Sequence, residues 1–124
     1  MPVRSLNSSV VVWPDRARVD REVRLWAQQI AKDQPTLQRL GYFGSYARGD
    51  WGVGSDLDLV AVVASTDQPF ECRPLEWDLN SLPVPAEILV YTEREWHSLR
   101  ATTSRFAEML AREVVWVFPP AADE

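Results

Sequence analysis

A chain of 124 residues is long enough for one modest domain and too short for two ordinary ones. Its hydrophobic share of 46% and charged share of 25% exclude a disordered chain, and a net charge of −5 excludes a basic face that coats nucleic acid, so no stable nucleic-acid binding is expected. A single cysteine, Cys72, excludes an internal disulfide and a cysteine-based metal site; no apolar run matches a membrane span or a signal-peptide core, so no membrane association and a cytoplasmic location are expected.

In chain order, Ser8 to Trp13 is short and β-branched and reads as an edge strand or extended arm before Pro14. A helix is predicted from about Asp15 to Lys32, because Val19, Val23, Trp26, Ala27 and Ile30 recur at helical spacing along one stripe. Its other face carries Arg16, Arg18, Asp20, Glu22 and Arg24, spaced for ion pairs one turn apart. Pro35 ends the helix, and Leu37 to Phe43 predicts a short strand. A glycine-rich turn follows. Asp56 to Val63 then reads as a central strand, apolar on both faces after its start.

Pro69 to Trp77 predicts a short helix, and AEILVY a third strand after Pro83 and Pro85. Thr92 and Glu95 form a T-x-x-E capping box opening a helix whose stripe is Trp96, Leu99, Thr103, Phe106 and Leu110. Glu113 to Phe118 reads as a final strand. The whole is one α/β (α+β) domain. Six tryptophans are many for this length, and one or two exposed ones are expected to mark an interface. His97, the sole histidine, is expected at the surface.

The chemistry concentrates in FGSYARGDWGVGSDLDL, Phe43 to Leu59. In a strand, residues two apart project to the same side, roughly 7 Å apart. Asp56 and Asp58 therefore point together, and two carboxylates side by side repel. A hard divalent cation relieves that repulsion, since Mg²⁺ binds a few carboxylates together with substrate phosphates. The bland alternative is a pair of solvent-facing aspartates at a strand start. Upstream, Gly44 lets backbone N–H groups approach a phosphate, Ser45 adds a hydroxyl donor, and Arg48 offers a guanidinium fork. Trp51, in the same turn, either stacks on a base or touches a partner, or simply packs within the loop.

Gly44-Ser45, ten intervening residues, then Asp56-x-Asp58 resembles the G-S-x10-D-x-D signature of nucleotidyltransferases of the DNA polymerase beta superfamily. The fuller string GSYARGDWGVGSDLDLVAV is similar to the minimal (MNT-type) branch found in HEPN/MNT toxin–antitoxin pairs. The resemblance implies a polymerase beta-like fold, a small mixed sheet with helices packed mainly on one face, formed by residues 1–124 with loose termini at 1–7 and 119–124. It implies ATP or another nucleoside triphosphate as substrate, and Mg²⁺ or Mn²⁺ in a two-metal site. Asp56 and Asp58 would hold the metals, and Gly44, Ser45 and Arg48 the triphosphate. The third carboxylate expected on a neighbouring strand is Glu87, where relatives more often carry Asp; it serves as ligand, as base for the attacking hydroxyl, or only as a solvated strand residue.

Two functions remain open on these residues. One is AMP transfer from ATP to a hydroxyl, with a tyrosine of a small helical HEPN-type partner as acceptor and an antitoxin role. The other is a weak or inactive module of the same fold that acts by binding a partner protein. A homo-oligomer is compatible with both.

Overall fold

The computed structural model describes residues 13–120. The expected arm from Ser8 to Trp13, save Trp13 itself, the loose terminus at 1–7 and residues 121–124 lie outside the described residues.

The first helix, α1 (Arg16–Asp33), starts where the sequence supplies a cap: the Asp15 carboxylate accepts from the Arg18 N–H at 2.9 Å. Its predicted stripe, Val19, Val23, Trp26, Ala27 and Ile30, is the buried one. Of the expected ion pairs, Arg24–Asp20 forms at 2.7 Å. Asp20 also accepts from the Tyr42 hydroxyl at 2.7 Å, which pins the helix to the first strand. Burial and the neighbouring Asp20 carboxylate push the Tyr42 hydroxyl up to about 12.

Strand β1 (Leu37–Phe43) leads into a one-turn helix, α2 (Ser45–Arg48), inside the predicted glycine-rich turn. Strand β2 (Leu57–Val63) is buried along nearly its whole length. A 3₁₀ helix, Phe70–Glu76, and an irregular segment lead to β3 (Ala86–Thr92). The sheet order is β3-β2-β1 followed by β4 (Val115–Phe118) at the other edge. β1 runs antiparallel to both β2 and β4, whereas β2 and β3 are parallel. At Gly41 the chains come so close that a Cβ would stand 2.7 Å from the Val115 carbonyl oxygen, so β4 packs here because β1 lacks a side chain.

Alternation along β2 sorts the core. Leu57, Leu59, Ala61 and Val63 face α1 and form the larger apolar cluster with Val23, Trp26 and Ile30. Val60 and Val62 face the other way, against Trp96 and Leu110, in the smaller cluster.

One predicted helix is two. α3 (Glu93–Arg100) carries the predicted capping box, with the Thr92 side chain and Glu95 each accepting a backbone N–H. The chain then breaks, and α4 (Arg105–Glu113) begins anew. The periodicity of the apolar stripe continued through the break, but hydroxyls compete with the helix there. Thr102 Oγ1 donates to the Leu99 carbonyl, and Ser104 Oγ accepts from the Ala107 N–H as a fresh cap. A consequence is that Glu113 ends α4 instead of opening the last strand.

None of the six tryptophans is exposed. Trp26, Trp77 and Trp96 are buried, and Trp13, Trp51 and Trp116 are partly buried, so no exposed tryptophan points to an interface. His97 is at the surface of α3, as expected. No helix among the described residues is long and apolar enough to cross a membrane.

Candidate active site

The predicted site residues collect at one end of the sheet, where β1 ends and β2 and β3 begin. Sheet register does this work. Asp58 stands opposite Phe43 on one side and Glu87 on the other. The Leu57 N–H donates to the Pro85 carbonyl at 2.8 Å, locking the starts of β2 and β3 together. Glu87, which the sequence located only as a carboxylate on some neighbouring strand, is thereby the direct lateral neighbour of Asp58.

Gly44 follows Phe43 with φ 81° and ψ −151°, a conformation that side-chain-bearing residues rarely adopt. The space requires glycine as well: a Cβ there would fall on the Asp58 Oδ2 atom. The turn and the carboxylate are thus in van der Waals contact, although fourteen residues of chain or so separate them. Ser45 is partly exposed, and its hydroxyl makes no hydrogen bond among the described residues. Arg48 lies exposed at the end of α2, its Nε donating to Asp50 Oδ2 at 3.0 Å. Asp50 above all, and Glu113 behind it, hold this guanidinium firmly protonated.

Asp56 is exposed just before β2, and Asp58 is half-buried within it. Burial first, then the charges of Glu87 and Asp56, push the Asp58 carboxyl above its usual range, against the smaller opposing pull of Arg48. This end of the sheet therefore concentrates negative charge that the protein leaves largely unneutralised. Hard oxygen donors in mutual repulsion fit a divalent cation in kind. No group of three His, Cys, Asp or Glu side chains among the described residues stands ready to hold one ion. Mg²⁺ does not require such a cage, because it completes its shell with substrate phosphates and water.

Trp51 stacks on Tyr46, ring centroids 5.7 Å apart and planes 8° from parallel, and packs against the main core. Tyr46 in turn accepts from Trp13 Nε1 at 2.8 Å. For Trp51, loop packing is the alternative that the geometry shows.

Sequence reasoning missed Glu113. Its Oε1 accepts from the Gly44 N–H and from Arg48 Nη1, both at 3.3 Å. Nothing local could have signalled this, since the residue is 65 positions from Arg48 and its predicted element was wrong.

A mixed four-stranded sheet with a glycine turn abutting adjacent strand-borne carboxylates defines a nucleotidyl-transfer fold. The family pattern "Nucleotidyltransferase domain" matches residues 24–110, and the chain belongs to that family. Solved structures agree on the fold. A Sulfolobus solfataricus protein assigned as a nucleotidyltransferase superposes with a TM-score of 0.58 at 20% identity, over 82% of this chain and 80% of that one. A toxin–antitoxin structure with AMP-PNP matches with a TM-score of 0.50 at 16% identity, over 81% of this chain and 76% of that one. No curated protein matches the chain.

Proposed function

We propose that the chain transfers a nucleoside monophosphate, AMP from ATP, to a hydroxyl group, and that the acceptor is a tyrosine of a small helical HEPN-type partner. The observation that carries this reading is the contact between the Gly44 turn and Asp58, with Asp58 beside Glu87. It brings groups that suit a triphosphate against carboxylates that suit the reacting end. The structural neighbour with AMP-PNP, a toxin–antitoxin, supports a nucleotide and a protein partner here.

In the reaction the acceptor oxygen forms a bond to the α-phosphorus, the bond from that phosphorus to the β-phosphate bridging oxygen breaks, and pyrophosphate leaves. Gly44 N–H, the Ser45 hydroxyl and Arg48 bind and orient the phosphate chain. Glu87 takes the proton of the acceptor hydroxyl on its carboxylate. Asp56 and Asp58, with Glu87 beside them, would hold a divalent cation such as Mg²⁺, which would supply neutralisation of the phosphate charge and a more acidic acceptor hydroxyl.

The test is incubation with ATP labelled at the α-phosphate, Mg²⁺ and the protein encoded by the adjacent gene. Label on the partner, absent with Asp56→Asn, is the expected result. No transfer by the wild type would sink the enzymatic reading.

One observation favours the second reading, a partner-binding module without turnover: the three carboxylates are not gathered around a common point. That reading predicts neutralisation of the partner by the Asp56→Asn, Asp58→Asn double variant at wild-type strength. Loss of neutralisation with binding intact would refute it.

A further inference from the structure

Glu113 has no local reason for its position. It is the last residue of α4, where the exposed carbonyl ends of the helix disfavour a carboxylate. It nonetheless turns inward, its side chain only 17% exposed against 46% for Arg48. There a single oxygen spans a backbone N–H and a guanidinium, the pair of donors a phosphate oxygen takes. Both contacts, at 3.3 Å, are longer than the 2.7–2.9 Å or so of a strong charge-assisted bond. Arg48 keeps a second, shorter bond to Asp50, so it stays placed if Glu113 withdraws.

We propose that Glu113 is a built-in competitor of the nucleotide, an internal anion that occupies the Gly44 and Arg48 donors and must be displaced by the triphosphate. This rests on the reading that those donors hold phosphate. The consequence is physical: a polyanion and a carboxylate cannot share one guanidinium without repulsion, so the resting protein binds nucleotide more weakly than its donors allow. The device suits a protein whose phosphate end is otherwise open to solvent and to every cellular polyphosphate. A ligand with further contacts, at the carboxylate end or to the base, expels Glu113 more readily than a bare polyphosphate does.

The experiment is calorimetric titration of wild type and Glu113→Gln with two probes, Mg²⁺·ATP and inorganic tripolyphosphate. Gln keeps an acceptor oxygen for the Gly44 N–H and removes the charge. The expected result is a Kd lower by about three- to tenfold for both probes in Glu113→Gln, with the gap narrowing at high salt because screening weakens the repulsion. Thermal melting checks the fold. If Glu113→Gln melts early, Glu113→Asp, one methylene short of Arg48, takes its place with the same expected sign. Wild-type binding with an equal or higher Kd in the folded variant overturns the proposal and marks Glu113 as a brace of the turn. Binding by neither protein overturns it together with the function on which it rests.

Discussion

The two ends of the sheet treat charge in opposite ways. At the end formed by Val90 to Thr92, Arg73 is buried and fully engaged. It donates to the Glu95 carboxylate at 2.6 and 3.1 Å, to the Val90 carbonyl at 2.8 Å and to the Gln68 carbonyl at 2.9 Å. Glu95 simultaneously closes the α3 capping box through the Thr92 N–H at 2.8 Å. Both members of this buried pair are thus engaged. At the other end, the charges of Glu87 and Asp56 bear on the half-buried Asp58, and the Arg48 guanidinium is held by Asp50 and Glu113. One end is built as a closed network that holds a 3₁₀ helix, a strand and a helix together. The other stores repulsion among carboxylates, the kind of polarity that the proposed function would use.

The largest expected effect lies at the unsatisfied end. Asp58→Asn should cut the proposed AMP transfer by on the order of 10³-fold, as loss of several kcal/mol of transition-state charge stabilisation implies. The same substitution should leave the protein folded and more heat-stable, by about 2–4 °C, because it removes a half-buried carboxylate opposed by two others. A drop in both activity and melting temperature would erase the contrast between the ends.

Gly44→Ala comes next. A methyl group at φ 81° directed onto Asp58 must move the turn or the carboxylate, and transfer should fall roughly tenfold or more as the reacting groups lose their alignment. Steady-state kinetics with labelled ATP measures it, and wild-type kcat would contradict the contact.

The satisfied end should behave conversely. Glu95→Gln should cost about 2 kcal/mol in urea unfolding at neutral pH, the scale of a charge-assisted pair discounted for partial exposure. Its transfer activity per folded molecule should be unchanged.

The smallest effect is on the acid side. Hydrogen bonding from Arg73 foremost, against some burial, lowers Glu95 from its ordinary 4.5 to about 2. A depressed folded-state value means that the unfolded chain binds the proton more readily, so the pair's stabilisation is full above about 4.5 and is lost as pH falls towards 2. Acid unfolding of the wild type should show this loss, and Glu95→Gln should lack it. Parallel acid profiles for the two proteins would show that the pair contributes nothing measurable.

Much of this was legible in the chain. The α1 stripe, the β1 and β3 segments and the capping box at Thr92 depend on neighbours a few residues away, which periodicity and capping chemistry report directly. The turn from Gly44 to Arg48 and the Asp56-x-Asp58 pair were visible for the same reason, because phosphate and metal chemistry need particular residue types at short spacing. The break between α3 and α4 was not, since the apolar stripe ran on while the hydroxyls of Thr102 and Ser104 stopped the helix.

By itself, then, the sequence determined which groups are available: a glycine turn, a serine, an arginine, a pair of aspartates and a glutamate thirty or so residues on. The tertiary structure alone decided which of them meet. Parallel register placed Glu87 beside Asp58, and the absence of a Cβ let Gly44 touch Asp58. The end of α4 carried Glu113 onto Arg48 across 65 residues of chain. Such contacts come from strand pairing and helix packing, whose free energy is spread over the whole core and leaves no local mark in the residues that they bring together.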